Sequence, residues 1–212
     1  MSENMTTSGC AALISSAMLG LAPFSVGASS AQPVPRPVAV TSAPVVANDN
    51  RVPAGEIKDG VLTLHLVATV AQWQPEGQGA NDPARTVQVF AEEGKAPQIP
   101  GPLVRVPDGT EIRMSVRNAI AGAPLRLFGV MTRPGDPEAF VEIAPGAVRD
   151  LRFKAGSPGT YFYLGATAGP PLGFRLPGVD SQLAGAFIVD PARGREEPDD
   201  RIFVMTEFIG SA

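Results

Sequence analysis

Turn signals set the scale of what this chain can fold into. Asp59-Gly60, Pro107-Asp108-Gly109, Arg133-Pro134-Gly135-Asp136, Pro145-Gly146 and Ser157-Pro158-Gly159 punctuate residues 55–190. Each combines residues that preset or free φ as a tight turn requires. The segments between them are short, and none shows a sustained helical stripe. Residues 111–117 alternate cleanly, with Ile112, Met114 and Val116 on one side and Arg113, Ser115 and Arg117 on the other. That is the period of a half-buried strand. Residues 61–67, Leu125–Phe128, Phe140–Ile143, Val148–Lys154, 160–164 and 186–189 read as further strands. Short strands at this spacing predict an all-β Greek-key sandwich or barrel. With 23 glycines and 22 prolines in 212 residues, the composition agrees with a chain that turns often.

Several kinds of chemistry are excluded by counting. The chain holds one Cys and one His, so neither a disulfide framework nor a multi-histidine metal centre can be assembled from it. A net charge of −4 and a pI near 5.1 leave no basic footprint for nucleic acid. There is no G-x-S-x-G, no phosphate-binding glycine loop and no carboxylate pair in a recognisable spacing.

The charge is unevenly distributed. Residues 1–50 carry only Glu3, Arg36 and Asp49. Residues 11–22 (AALISSAMLGLA) form an apolar run of signal-peptide length, too short to span a bilayer. Small-x-small sites follow at Val26-Gly27-Ala28 and Ser29-Ser30-Ala31. Residues 1–31 are therefore expected to be a signal peptide, although Glu3 stands where a basic n-region is usual. A periplasmic or secreted location follows from that reading, and a cytoplasmic one if the run is not a signal. Cys10 precedes the apolar run, the wrong side for a lipobox. Residues 32–54, rich in proline and small residues, read as an extended linker. Residues 191–200 form a second, charged linker, and Ile202, Phe203, Val204 and Met205 read as the start of a strand with nothing obvious to pair with. Such a strand is expected to open a second domain, of which 191–212 would be the entry.

Five segments together resemble a known family. Gln98-Ile99-Pro100-Gly101-Pro102-Leu103-Val104-Arg105-Val106 and the strand ending in Asn118 are similar to the opening of the first cupredoxin domain of multicopper oxidases. Ile143-Ala144-Pro145-Gly146, the run Gly159-Thr160-Tyr161-Phe162-Tyr163, and Gln182 with Gly185, Ile188 and Val189 match later motifs of that domain in order and spacing. The resemblance implies a cupredoxin fold over 55–190 and a copper-dependent oxidoreductase as the whole protein. Further cupredoxin domains of the same polypeptide would be its partners; periodicity and spacing do not bear on oligomeric state. In the family, H-W-H-G and H-x-H motifs bind copper at two points. Here those registers hold Arg126-Leu127-Phe128-Gly129 and Leu164-Gly165-Ala166. Guanidinium, phenyl, isobutyl and methyl groups offer no lone pair to a metal. No catalytic, cofactor-binding or metal-ligating residue is therefore assigned, and copper is expected only in domains outside this chain. The alternative is a copper-free envelope scaffold that keeps the oxidase fold.

Single residues are read in the same way. His65, between Leu64 and Leu66, is expected to face away from both, toward solvent or a satisfied partner. Met114, Met131 and Met205 could be soft ligands but do not cluster, so packing is expected of them. Arg126, Arg133 and Arg175 read as surface residues, with a buried pairing of Arg126 to Asp180 or Glu142 as the alternative. Tyr161 and Tyr163 are expected to be core residues with hydrogen-bonded phenols. Trp73, between Gln72 and Gln74, reads as a half-buried edge residue.

Overall fold

The computed structural model describes residues 44–76, 83–132, 134, 139–167, 178–193 and 200–207. The chain divides into two compact units, residues 1–34 and 35–212, and all described residues belong to the second. The expected signal peptide, Arg133 and Arg175 lie outside the described residues.

Twelve strands are present among the described residues: β1 (Val46–Ala47), β2 (Glu56–Lys58), β3 (Val61–Trp73), β4 (Arg85–Glu92), β5 (Gln98–Ile99), β6 (Gly101–Pro107), β7 (Glu111–Asn118), β8 (Leu125–Phe128), β9 (Phe140–Ile143), β10 (Val148–Lys154), β11 (Gly159–Ala166) and β12 (Ala184–Asp190). They form two mixed sheets. One runs β1-β5-β4-β3-β7-β10 with β2 paired to β3, and the other runs β6-β12-β11-β8-β9. The β2–β3 hairpin closes on Asp59-Gly60, with Lys58 opposite Val61 and both turn residues at positive φ. That is the geometry an Asp-Gly dipeptide favours.

The expected all-β fold is what the chain adopts: a cupredoxin-like β-sandwich. The alternation in 111–117 is realised in full. Ile112, Met114 and Val116 are buried, at 0–2% exposure, against Leu62, Leu64 and Leu66 of β3 and Val104, Val106 and Phe187 of the facing sheet. Met114 is thus a core residue, as expected.

Two expectations about connecting segments need correction. Part of the supposed linker, from Pro44 onward, is built into the sandwich. Val46 N–H donates to Pro97 O (2.8 Å), Asn48 N–H to Ile99 O (2.9 Å) and Ala54 N–H to Leu103 O (2.7 Å). A proline-rich extended run makes a serviceable sheet edge, because proline is tolerated where no ladder donor is needed. At the other end, residues 201–207 form no strand. They lie extended over the outer face of the five-stranded sheet, where Ile202 and Val204 pack on Leu103, Ala186 and Ile188.

Candidate functional site

Asn118, the last residue of β7, organises the crossing from one sheet to the other. Its Nδ2 donates to Ala123 O (2.9 Å) and Ile143 O (3.0 Å), and its Oδ1 accepts from Ile120 N–H (3.0 Å). The side chain is fully buried, and these three bonds satisfy backbone groups that the irregular 119–124 segment would leave unpaired. β8 is delivered beside β11 as a result.

The two segments that would carry copper ligands in the resembled family meet there. Leu164 pairs with Phe128, Gly165 with Leu127 and Ala166 with Arg126. Alternation turns Leu125 and Leu127 into the core, both fully buried, and leaves Arg126, Leu164 and Ala166 partly exposed on the outer face. Gly129 closes β8 at φ +80°, where a Cβ would collide with Phe162 O. A glycine is required there for backbone packing alone. The sequence thus brings the two positions together, and the side chains at them do not fit a copper ion. Among the described residues no group of three or more His, Cys, Asp or Glu converges on a point.

Arg126 stands directly across from Glu142 in the β8–β9 pair. Of its two candidate carboxylates, Glu142 is the cross-strand neighbour. Asp180 is buried and accepts Thr167 N–H (3.1 Å). Thr167 Oγ1 in turn donates to Gln88 Oε1 (2.6 Å). This buried polar group ties the end of β11 to β4.

Both phenols are hydrogen-bonded, but only Tyr163 is a core residue, and Tyr161 is half-buried. Tyr163 is fully buried and donates to Pro102 O (2.6 Å), and Tyr161 donates to Ser157 O (3.0 Å). Burial pushes the Tyr163 phenol well above its usual range. Trp73 is half-buried and packs with Val45 and Ile99 on Ala71, Val87 and Val89. His65 faces outward, with Nδ1 2.5 Å from Ser115 Oγ.

The main feature that the sequence did not reveal is a groove of about 410 Å³ on the outer face of the five-stranded sheet. It is lined by Phe162, Leu164 and Ala184 below and by Phe203, Met205 and Thr206 of the strap above. Phe203 is 85% and Met205 95% exposed. The strap is anchored at three points. Arg105 is bidentate to Asp190 (2.7 and 2.8 Å) and bidentate to Asp200 (2.9 and 3.1 Å). Asn50 Nδ2 donates to Ile202 O (3.1 Å), and Thr206 Oγ1 to Gln182 Oε1 (2.8 Å). The apolar character of residues 202–205 is plain in the sequence. Which face would lie on a sheet is not, because that depends on residues about a hundred positions upstream.

These two sheets, with the Asn118 crossing and the β8–β11 register, define a cupredoxin-like domain. Comparison with known proteins finds similarity to the following. A curated protein of Kuenenia stuttgartiensis, named "Probable nitrite reductase-hydroxylamine oxidoreductase fusion protein", is 32% identical over 161 residues, covering 70% of this chain and 18% of that protein. A multicopper oxidase crystal structure is similar at 25% identity and a TM-score of 0.47, covering 71% of this chain and 50% of that one. A copper nitrite reductase from Nitrosomonas europaea is similar at 22% identity and a TM-score of 0.44, covering 66% and 51%. No family model matches. The chain spans less than a fifth of the curated relative and about half of each of these solved structures.

Proposed function

We propose that this chain supplies the N-terminal cupredoxin domain of a multicopper-oxidase-like copper oxidoreductase and binds no copper itself. It serves as a wall on which further domains of the same polypeptide pack. The observation that carries this reading is the asymmetry of the two outer faces. The seven-stranded sheet is dressed in ion pairs, among them Arg113–Glu111 (2.7 Å) and Arg152–Glu111 (2.9 Å). The face that holds the ligand registers instead presents Phe162, Leu164, Phe203 and Met205. Apolar surface of that kind marks a contact with another protein surface. In the same reading residues 1–31 are a signal peptide, 44–190 the domain proper with 201–207 strapped over it, and 191–212 the approach to a second domain. The protein then works outside the cytoplasm.

Metal analysis of the purified chain after incubation with Cu(II) and desalting tests the reading. Less than stoichiometric copper is expected, together with stoichiometric copper in a longer polypeptide that contains this chain. Copper retained by the 212-residue chain would overturn it. N-terminal sequencing of exported material should begin near Ser29 or Gln32; an intact Met1 recovered from the cytoplasm would sink the export claim.

The exposed Phe203 and Met205 also favour a second reading, a copper-free envelope scaffold, since an apolar contact face needs no metal. Copper content of the longer polypeptide separates the two.

A further inference from the structure

The outer face of the seven-stranded sheet carries a feature unrelated to the packing face. Three strands align there in register, so that two rows of side chains lie side by side. Thr63, Arg113 and Arg152 form one row, and His65, Ser115 and Asp150 the next. All six line one open depression of about 430 Å³. Arg113 and Arg152 are direct cross-strand partners, an arrangement that like charges normally disfavour. Both donate Nε to the same carboxylate oxygen of Glu111, at 2.7 and 2.9 Å. One carboxylate is thus shared by two guanidinium groups, whose Nη nitrogens find no partner among the described residues. Asp150 likewise has no partner among the described residues. Beyond His65 lies a second depression, which shares Thr63 and His65 with the first and is lined by Glu56, Glu92 and Glu93. Arg117, next outward along β7 beyond Ser115, lies 3.7 Å from Glu93, which leaves Arg113 and Arg152 as the cations that line the first depression.

We infer that this depression binds a small oxyanion that carries a proton, of the hydrogen phosphate class, on the outward edges of Arg113 and Arg152. Two guanidiniums suit bidentate contact with such an ion. Ser115 and His65, hydrogen-bonded to each other through Oγ and Nδ1, supply one further donor in the adjoining row, the Ser115 hydroxyl or the His65 Nε2–H according to the tautomer. The Asp150 carboxylate offers acceptor oxygens alone. It therefore repels sulfate, which is fully ionised, and accepts the P–OH hydrogen of a phosphate. A phosphate monoester, whose second ionisation falls near pH 6, has largely lost its P–OH at neutral pH, so free hydrogen phosphate is the ion this arrangement selects.

The test is an NMR titration of the full chain with inorganic phosphate, glycerol phosphate or sulfate at constant ionic strength. The amide resonances of residues 63–65, 113–115 and 150–152 and the His65 ring are followed. Saturable shifts confined to these residues at about millimolar ligand, with phosphate at least about tenfold ahead of both sulfate and glycerol phosphate, are expected; an ester that binds as tightly as phosphate would overturn the selection for a P–OH. R113Q with R152Q should remove the shifts while leaving the rest of the spectrum unchanged, since both side chains are exposed. D150N should raise sulfate affinity to that of phosphate. Absence of saturation up to about 50 mM, or shifts that persist in R113Q/R152Q, would overturn the site. An unchanged sulfate response in D150N would overturn the role of Asp150.

Discussion

The Tyr163 phenol donates a 2.6 Å hydrogen bond to the carbonyl of Pro102, between β11 and the start of β6, with no access to solvent. This bond joins two strands of the five-stranded sheet that are not neighbours, since β12 lies between them. Tyr163→Phe should keep the ring packed on Phe90, 5.2 Å away, and strand the Pro102 carbonyl. A loss of about 1–3 kcal/mol is expected, read as a lower urea midpoint with an unchanged m-value.

The same residue sets an alkaline limit. Burial raises the folded phenol's pKa above its unfolded value, so its contribution is fully present below the ordinary tyrosine pKa of about 10 and declines as pH rises beyond it. The wild-type chain should lose stability over that window. Tyr163→Phe should flatten the decline, measured as urea midpoints across alkaline pH. An identical alkaline limb in both proteins would refute the assignment.

Asn118→Ala removes three hydrogen bonds at once and leaves Ile120 N–H and the Ala123 and Ile143 carbonyls to find new partners. The expected cost is about 3–5 kcal/mol, larger than that of Tyr163→Phe, which strands a single carbonyl. Thermal unfolding should show it directly.

Arg105 holds the strap through Asp200 and the sheet through Asp190, with its own side chain 9% exposed. Arg105→Met should leave Asp190 without its cation and free residues 200–207. Protease cleavage should then be faster within the strap than in the sandwich, and Leu103, Ala186 and Ile188 should become accessible to a hydrophobic dye. Equal cleavage rates in both proteins would show that the packing of Ile202 and Val204, with the Asn50 and Thr206 hydrogen bonds, suffices without the Arg105 latch.

Glu111 is held below the usual carboxylate range, first by Arg113 and then by Arg152. Its contribution is therefore present above the unfolded pKa and lost as pH falls through the folded one. The carboxyl resonance of Glu111 should titrate at lower pH than that of an unpaired glutamate. It should move toward the ordinary value in Arg113→Gln.

Much of this protein is legible in its sequence, because the relevant signals are local. Alternation in 111–117 needs only neighbouring residues to say which side is buried, and Leu125–Phe128, Phe140–Ile143 and Val148–Lys154 are bounded correctly by the turns around them. β4 escapes such a reading. Its run from Val87 to Ala91 is buried on both faces, the polar Gln88 included, so the residue types do not separate a core side from a solvent side. The absence of ligand chemistry at Arg126, Leu164 and Ala166 also needs only the residue types. The tertiary structure decided three things. It put β8 against β11, so that the two registers share one face. It laid 201–207 over the outer sheet, where Arg105 meets Asp200. It set Arg113 beside Arg152 around a single carboxylate. Each joins residues tens of positions apart in the chain, and strand order and register, which local propensity does not encode, decide which of them meet.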